Sequence, residues 1–314
     1  MSREGLLRRY RPFYLLARLA RRVLPYCLSQ KLLSRRSVPA AQLYCGKGNC
    51  SWTYLRIIQQ TDLSLLFERP ESLVVLETGT GFDNPLSAPL LLTGIRQLLL
   101  LEPYVGARAD HHRLQERLRY LVDCAESDPE FPLSRRQTVS DLFGQNSKPH
   151  QMPANVQILD RFWEDTGLPD GSVDLILSAS VLEHLRKPDA VLRESSRILR
   201  PDGWMLHLVD LRDHFFRYPF EMLKYSPRAW SLLTTHTGGS GFQNRWRLPQ
   251  WLDALEQCGF NTQVIPQLTL RDEMLLERPF FHSDFQGFSD GDLQIAVAIL
   301  VSRRGSTVNL PTQS

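Results

Sequence analysis

With 314 residues, 42% of them hydrophobic and 23% charged, the chain has the make-up of a soluble globular protein with a sizeable core. No stretch is apolar and uninterrupted for long enough to span a bilayer. The net charge of +3 is too modest to mark the whole chain as a nucleic-acid binder.

That net charge hides an asymmetry. Residues 1–36 carry ten Lys and Arg against a single acid, Glu4, and the remaining chain carries 27 basic and 33 acidic residues. Apolar side chains at Leu6, Leu7, Tyr10, Phe13, Tyr14, Ala17, Ala20 and Leu24 follow helical spacing, with Pro12 starting a second segment. This is a basic amphipathic helix. Two readings stay open: the helix lies on an anionic membrane surface, or it packs its apolar stripe on the body. Arg18, Arg21 and Arg22 interrupt the apolar run, which argues against a signal peptide. Five cysteines without such a signal suggest reduced thiols and a cytoplasmic protein, peripheral to the membrane if the basic head binds one. Cys45 and Cys50 in "CGKGNC" have no second Cys/His pair in the sequence, so no metal is expected.

From residue 73 onward strands alternate with helices. "SLVVLE" is a strand, "LSAPLLLTG" a helix, "QLLLLEP" a strand and "ARADHHRLQERLRYLVDCAES" a charged helix; a polar, turn-rich stretch runs to about 153. Strands "NVQILD" and "SVDLILSAS", helix "PDAVLRESSRILR", turn "PDG" and strand "WMLHLVDL" follow. After an aromatic, basic insertion come helix "LPQWLDALEQCGF" and two strands, "TQVIPQLTL" and "LQIAVAILVSRR", with no helix read between them. The pattern predicts a Rossmann-like, doubly wound α/β sheet, mostly parallel and seven-stranded, with an antiparallel last strand. Three regions are expected: a helical region over 1–70, a main domain over 71–303 with insertions at about 106–153 and 212–247, and a loose tail over 304–314.

The first strand runs into Glu77-Thr78-Gly79-Thr80-Gly81. Glycines there let the backbone approach a ligand and adopt positive φ. The dinucleotide fingerprint needs a third glycine at position 84, where Asn84 stands, so a diphosphate is disfavoured. Glu77 beside the loop suits an ammonium or sulfonium ligand. Glu102 at the second strand's end can accept the hydroxyls of a ribose.

Together with the block from Glu164 to Leu211, these residues resemble the class I S-adenosylmethionine-dependent methyltransferases. Glu77 to Gly81 is similar to their first motif, Glu102 to their ribose acid and Asp165 to the acid at the adenine amino group. Val181-Leu182-Glu183-His184 and Arg197 to Gly203 resemble the end of their fourth strand and their helix-to-strand turn. The resemblance spans roughly residues 72–302. It implies S-adenosylmethionine as cofactor, held by Glu77, Gly79, Thr80, Gly81, Glu102, Asp165, Thr166 and Ser178. Asp83 replaces a frequent third glycine of the first motif, and Asp202 the first glycine of the usual Pro-Gly-Gly turn.

Methyl transfer needs positioning above all, and a base where a hydroxyl must lose its proton. His214, with Asp210 or Asp213, is the expected catalytic group; His207 is expected to be a core residue. His184, Arg212, Asn244, Arg245 and Arg247 are the expected acceptor contacts, under a lid formed by 215–247 that supplies aromatic walls and a glycine hinge. The expected acceptor is a small molecule, a sugar or a lipid-linked precursor methylated on oxygen. The alternatives are a small aromatic or isoprenoid-quinone acceptor, and a non-catalytic partner protein that binds the cofactor.

Overall fold

The computed structural model describes residues 50–80, 85–103, 111–144, 152–216, 218–234 and 242–305. The basic head, Cys27, Cys45, Gly81, Asp83, Asn84, Arg217, the glycines of 238–241 and most of the tail lie outside the described residues.

Seven strands form one sheet: β1 (Val74–Thr78), β2 (Gln97–Leu101), β3 (Val156–Leu159), β4 (Val173–Ala179), β5 (Leu199–Asp210), β6 (Phe260–Thr269) and β7 (Ile295–Arg304). Their order is β3-β2-β1-β4-β5-β7-β6. The pairs from β3 through β5 are parallel, and β7 runs antiparallel to both β5 and β6. The expected fold class is therefore the observed one. β1 is buried along its whole length and β4 for six of seven residues, as apolar strands covered on both faces must be. β6, at the sheet edge, is mostly uncovered and carries Pro266, a residue that only an edge or a bulge accommodates.

Among the described residues the α-helices are α1 (Cys50–Gln60), α2 (His111–Ser127), α3 (Val139–Phe143), α4 (Pro188–Ile198), α5 (Pro227–Thr234), α6 (Leu248–Gln257), α7 (Arg271–Glu277) and α8 (Asp290–Leu293). α4 buries Pro188, Val191, Leu192, Ser195 and Ile198, a single stripe at 3.6-residue spacing. It and α6 cover one face of the sheet; α1 and α2 cover the other. No helix among the described residues is long and apolar enough to cross a membrane.

Four features depart from the sequence reading. "APLLLT" is a 3-10 helix, Ala88–Thr93, buried throughout and closed by Gly94 at φ 84°. Strand β5 begins at Leu199: Val173 pairs with Leu199 and Leu175 with Trp204, so "RPDG" bulges out and Asp202 takes φ 64°. Between β6 and β7 stand α7 and α8, packed with the 215–230 aromatics into a third small core. Finally, Tyr54, Leu55, Ile57 and Ile58 of α1 belong to the main core, so a boundary at residue 70 falls inside one packed body.

Candidate active site

Parallel strands in register bring their carboxyl ends to one edge: Thr78 pairs with Leu101, Glu77 with Leu177, and Ala179 with Leu208. Gly79 and Glu102 follow directly on β1 and β2, Asp210 ends β5, and Glu183 lies four residues past β4. This is the edge at which open α/β sheets bind ligands.

Gly79 takes φ 68° and its amide donates to Leu101 O at 2.9 Å. A Cβ there would lie 2.5 Å from Val181 Cγ2, so the absent side chain lets the exits of β1 and β4 close on each other. Glu77 is buried and turns into its own loop, accepting from Leu86 N at 2.9 Å, Ser87 N at 2.8 Å and the Ser87 hydroxyl. Burial pushes its carboxyl up to about 7 against the pull of those donors. Its role in this structure is to hold the returning chain. Thr80 and Glu102 are buried beside it.

Across the edge, Asp165 is exposed and its amide donates to Phe162 O at 3.0 Å. Thr166 is buried and donates through its amide (3.0 Å) and hydroxyl (2.6 Å) to Glu194 on α4. Arg197 and Thr166 hold Glu194 down at about 2, so the loop carrying Asp165 is pinned to a helix. The Ser178 hydroxyl pairs with His207 Nδ1 at 2.8 Å inside the sheet face. His207 is fully buried and pushed down to about 3 by that burial, hence neutral: a core histidine. Gly79 thus closes the β1 exit, and the buried Glu102 carboxylate stands one strand over.

The β4 and β5 ends carry a second cluster. His214 Nε2 lies 3.1 Å from Asp210 Oδ2, and its Nδ1 lies 3.3 Å from His184 Nε2. His184 Nδ1 contacts Phe242 O at 2.5 Å. Arg212 grips Asp210 with Nε at 2.8 Å and a terminal nitrogen at 2.6 Å. Burial would raise the Asp210 carboxyl, but Arg212 and His214 hold it well below the usual carboxylate range. Burial pushes His184 down. Glu183 is 3% exposed, and neither carboxylate oxygen meets a donor in hydrogen-bonding geometry. Burial raises it well above the ordinary range, with nearby amides and the Ser180 hydroxyl offsetting only part.

Four expected site residues are placed otherwise. Asp213 is bonded elsewhere than to His214: it is buried, accepts from Phe216 N at 2.5 Å, and shapes the turn that follows. Arg247 is fully buried and donates to Leu211 O, Leu293 O and Ile295 O at 2.7–3.0 Å. Arg245 donates to Met222 O and Tyr225 O and lies over the Trp230 and Phe285 rings. Asn244 bridges Leu182 O and Leu185 O. Asn244 and Arg247 tie the insertion to the body and Arg245 holds the insertion together, so all three are holding residues where acceptor contacts were expected. Phe216, Phe220 and Trp230, read as walls of the lid, are buried in the third core. Glu183, absent from the expected set, sits beside both histidines; its position next to His184 in "VLEH" was the available signal.

Residues 136–207 match a family model described as a methyltransferase domain. No curated protein matches the chain. Similar solved structures include an S-adenosylmethionine-dependent methyltransferase from Mesorhizobium loti, at 13% identity over 82% of this chain and 99% of that one, TM-score 0.44. The CurJ carbon methyltransferase is similar at 16% identity over 96% and 70%, TM-score 0.48. Phosphoethanolamine N-methyltransferase 2 of Haemonchus contortus, in complex with S-adenosyl-L-methionine, is similar at 13% over 78% and 52%, TM-score 0.41. The acceptor named for each is that protein's own.

Proposed function

Proceeding from a chain that carries an S-adenosylmethionine-dependent methyltransferase domain, we propose that it methylates a hydroxyl, on a sugar or lipid-linked sugar precursor, at the ends of β4 and β5. The supporting observation is the His184–His214 pair: 3.3 Å apart, oriented by Phe242 O and Asp210, and set beside the cofactor edge. When bound, S-adenosylmethionine would supply an electrophilic methyl group for direct transfer to the acceptor oxygen, its sulfur being the leaving group. The hydroxyl proton must leave, because a protonated ether oxygen is a poor product. Unprotonated imidazole nitrogens provide the means. A lone pair takes the proton directly, or takes a cation that lowers the hydroxyl's own pKa. Gly79 and Glu102 would hold the donor end, Glu77 steadies the chain that returns beside them, and Thr166 and Glu194 fix the loop that carries Asp165. The packed aromatic core of the insertion leaves the polar cluster as the distinctive chemistry of the acceptor side, which favours a hydroxyl over an apolar ring.

The test pairs binding with turnover. Calorimetry of S-adenosylhomocysteine should show binding that Glu102→Ala weakens at least tenfold and His214→Ala leaves in place. Screening sugar and lipid-linked sugar acceptors should then give methyl transfer that His214→Ala lowers by 10²–10⁴, the usual contribution of a proton-transfer group. Turnover on amine or apolar ring acceptors alone, indifferent to His214, would overturn the hydroxyl reading.

A further inference from the structure

The partners of the two histidines assign their tautomers. His184 Nδ1 meets a carbonyl, Phe242 O, at 2.5 Å, so Nδ1 carries the proton and Nε2 the lone pair. His214 Nε2 meets the Asp210 carboxylate at 3.1 Å, so Nε2 carries the proton and Nδ1 the lone pair. The two lone pairs therefore face each other across 3.3 Å. Beside them Glu183 presents a carboxyl group that is 3% exposed, neither of its oxygens meeting a donor in hydrogen-bonding geometry. One donor atom from each of the three side chains lies within 4.8 Å of the others.

A proton shared between the rings would satisfy the two nitrogens alone and leave Glu183 a buried neutral acid beside them. A cation answers all three. We infer that Glu183, His184 and His214 form a binding site for a divalent transition metal of the zinc type. The spacing agrees: two nitrogens bound to one tetrahedral zinc at about 2.0–2.1 Å stand roughly 3.3–3.4 Å apart. The donor set agrees too. Two imidazoles and one carboxylate suit zinc and its neighbours and are too nitrogen-rich for magnesium or calcium. Three protein ligands leave a fourth position open, the pattern of zinc sites that bind a reactant. The outer contacts match what metal-bound histidines usually have, one N–H on a backbone carbonyl and one on a carboxylate. Asp210 is itself held by Arg212, which keeps that orientation fixed.

This inference deepens the hydroxyl-methylation reading and rests on it for the metal's use, since a hydroxyl at the open position would lose its proton readily. Binding of the metal is independent of that use.

The experiment is metal binding by the full chain after chelator treatment and dialysis. Zn²⁺ is titrated against a chromophoric competitor, and Co²⁺ serves as a spectroscopic probe. One equivalent should bind, with the intense visible absorption of tetrahedral cobalt and no thiolate-to-cobalt charge-transfer band. His184→Ala, His214→Ala and Glu183→Gln should each weaken binding by more than tenfold, and Asp210→Asn by 10- to 100-fold as an outer-shell change. Circular dichroism and S-adenosylhomocysteine binding report whether each variant is folded. Wild-type protein that binds S-adenosylhomocysteine but no Zn²⁺ or Co²⁺ would overturn the site and leave the methyltransferase reading standing. Metal binding that survives all four substitutions, or that shows the thiolate band, would overturn it equally. Metal bound as expected with no transfer to any hydroxyl would overturn the function reading and keep the site.

Discussion

The Tyr54 hydroxyl donates to Ser178 O at 2.5 Å and accepts from Leu208 N at 2.9 Å. A side chain from the helix ahead of the sheet thus bridges β4 and β5 close to their ends. Those ends carry Glu183 and His184 on one side, Asp210 and His214 on the other. The bridge sets the spacing at which the two halves of the acceptor cluster meet.

Tyr54→Phe keeps the ring and removes the bridge, stranding a buried carbonyl and a half-buried amide. Each stranded group costs about 1–3 kcal/mol, so urea unfolding should show a loss of a few kcal/mol in a folded protein. Proton exchange at the Leu208 amide should rise as well. A variant with wild-type stability and an unchanged Leu208 amide would mean that the strands pair directly without the bridge.

Gly79→Ala meets two separable obstacles. The left-handed backbone costs an L-residue about 1–2 kcal/mol, and the new Cβ would lie 2.5 Å from Val181 Cγ2. Pairing it with Val181→Ala removes the second and keeps the first. Denaturation should therefore find the double variant more stable than the single Gly79→Ala variant, in which Val181 is intact. S-adenosylhomocysteine affinity should follow the same order. Equal stability would show that the loop moves freely away from Val181.

Much of this frame was legible in the residues. Interior parallel strands must be apolar on both faces, so "VVLE", "LLLLE" and "DLILS" announced β1, β2 and β4, and the acids at their ends fell on the ligand edge. The placement of the arginines was not legible. Arg245 and Arg247 read as acceptor contacts because a sequence does not show that the carbonyls of Met222 and Tyr225 await the first, and those of Leu211, Leu293 and Ile295 the second. Nor could it choose between Asp210 and Asp213 as the partner of His214. That choice depends on where the chain turns after β5, and the turn directs Asp213 inward to Phe216 N. The role of Tyr54 depends on a partner 124 residues away, beyond any local pattern.

The inward turn of Asp213 has a pH signature. Burial raises its carboxyl from 3.8 to about 7. Between those values the unfolded chain has released the proton and the folded chain retains it, so stability falls as pH rises and the contribution is gone above about 7. Asp213→Asn can keep the bond to Phe216 N without titrating. Its stability against pH should slope less steeply by one proton, on the order of 1.4 kcal/mol per pH unit over that window. Glu77 and Glu183 are raised in the same direction and leave a residual slope in both proteins. Identical slopes for wild type and variant would place the Asp213 carboxyl in contact with solvent.

Arg247 offers the sharpest contrast between a binding and a holding role. Its guanidinium reaches Leu211 O at the end of β5, Leu293 O in α8 and Ile295 O at the start of β7. No ordinary side chain but arginine spreads donors over three such carbonyls at once. Arg247→Met fills the volume and leaves the carbonyls without their donor, at a cost of more than about 3 kcal/mol in total. Arg247→Lys, a point donor, should recover only part of that. Thermal unfolding of the two variants beside wild type should rank them wild type, Lys, Met. If instead both unfold like wild type while methyl transfer to an acceptor collapses, Arg247 contacts the acceptor, and the strand ends are held by something else.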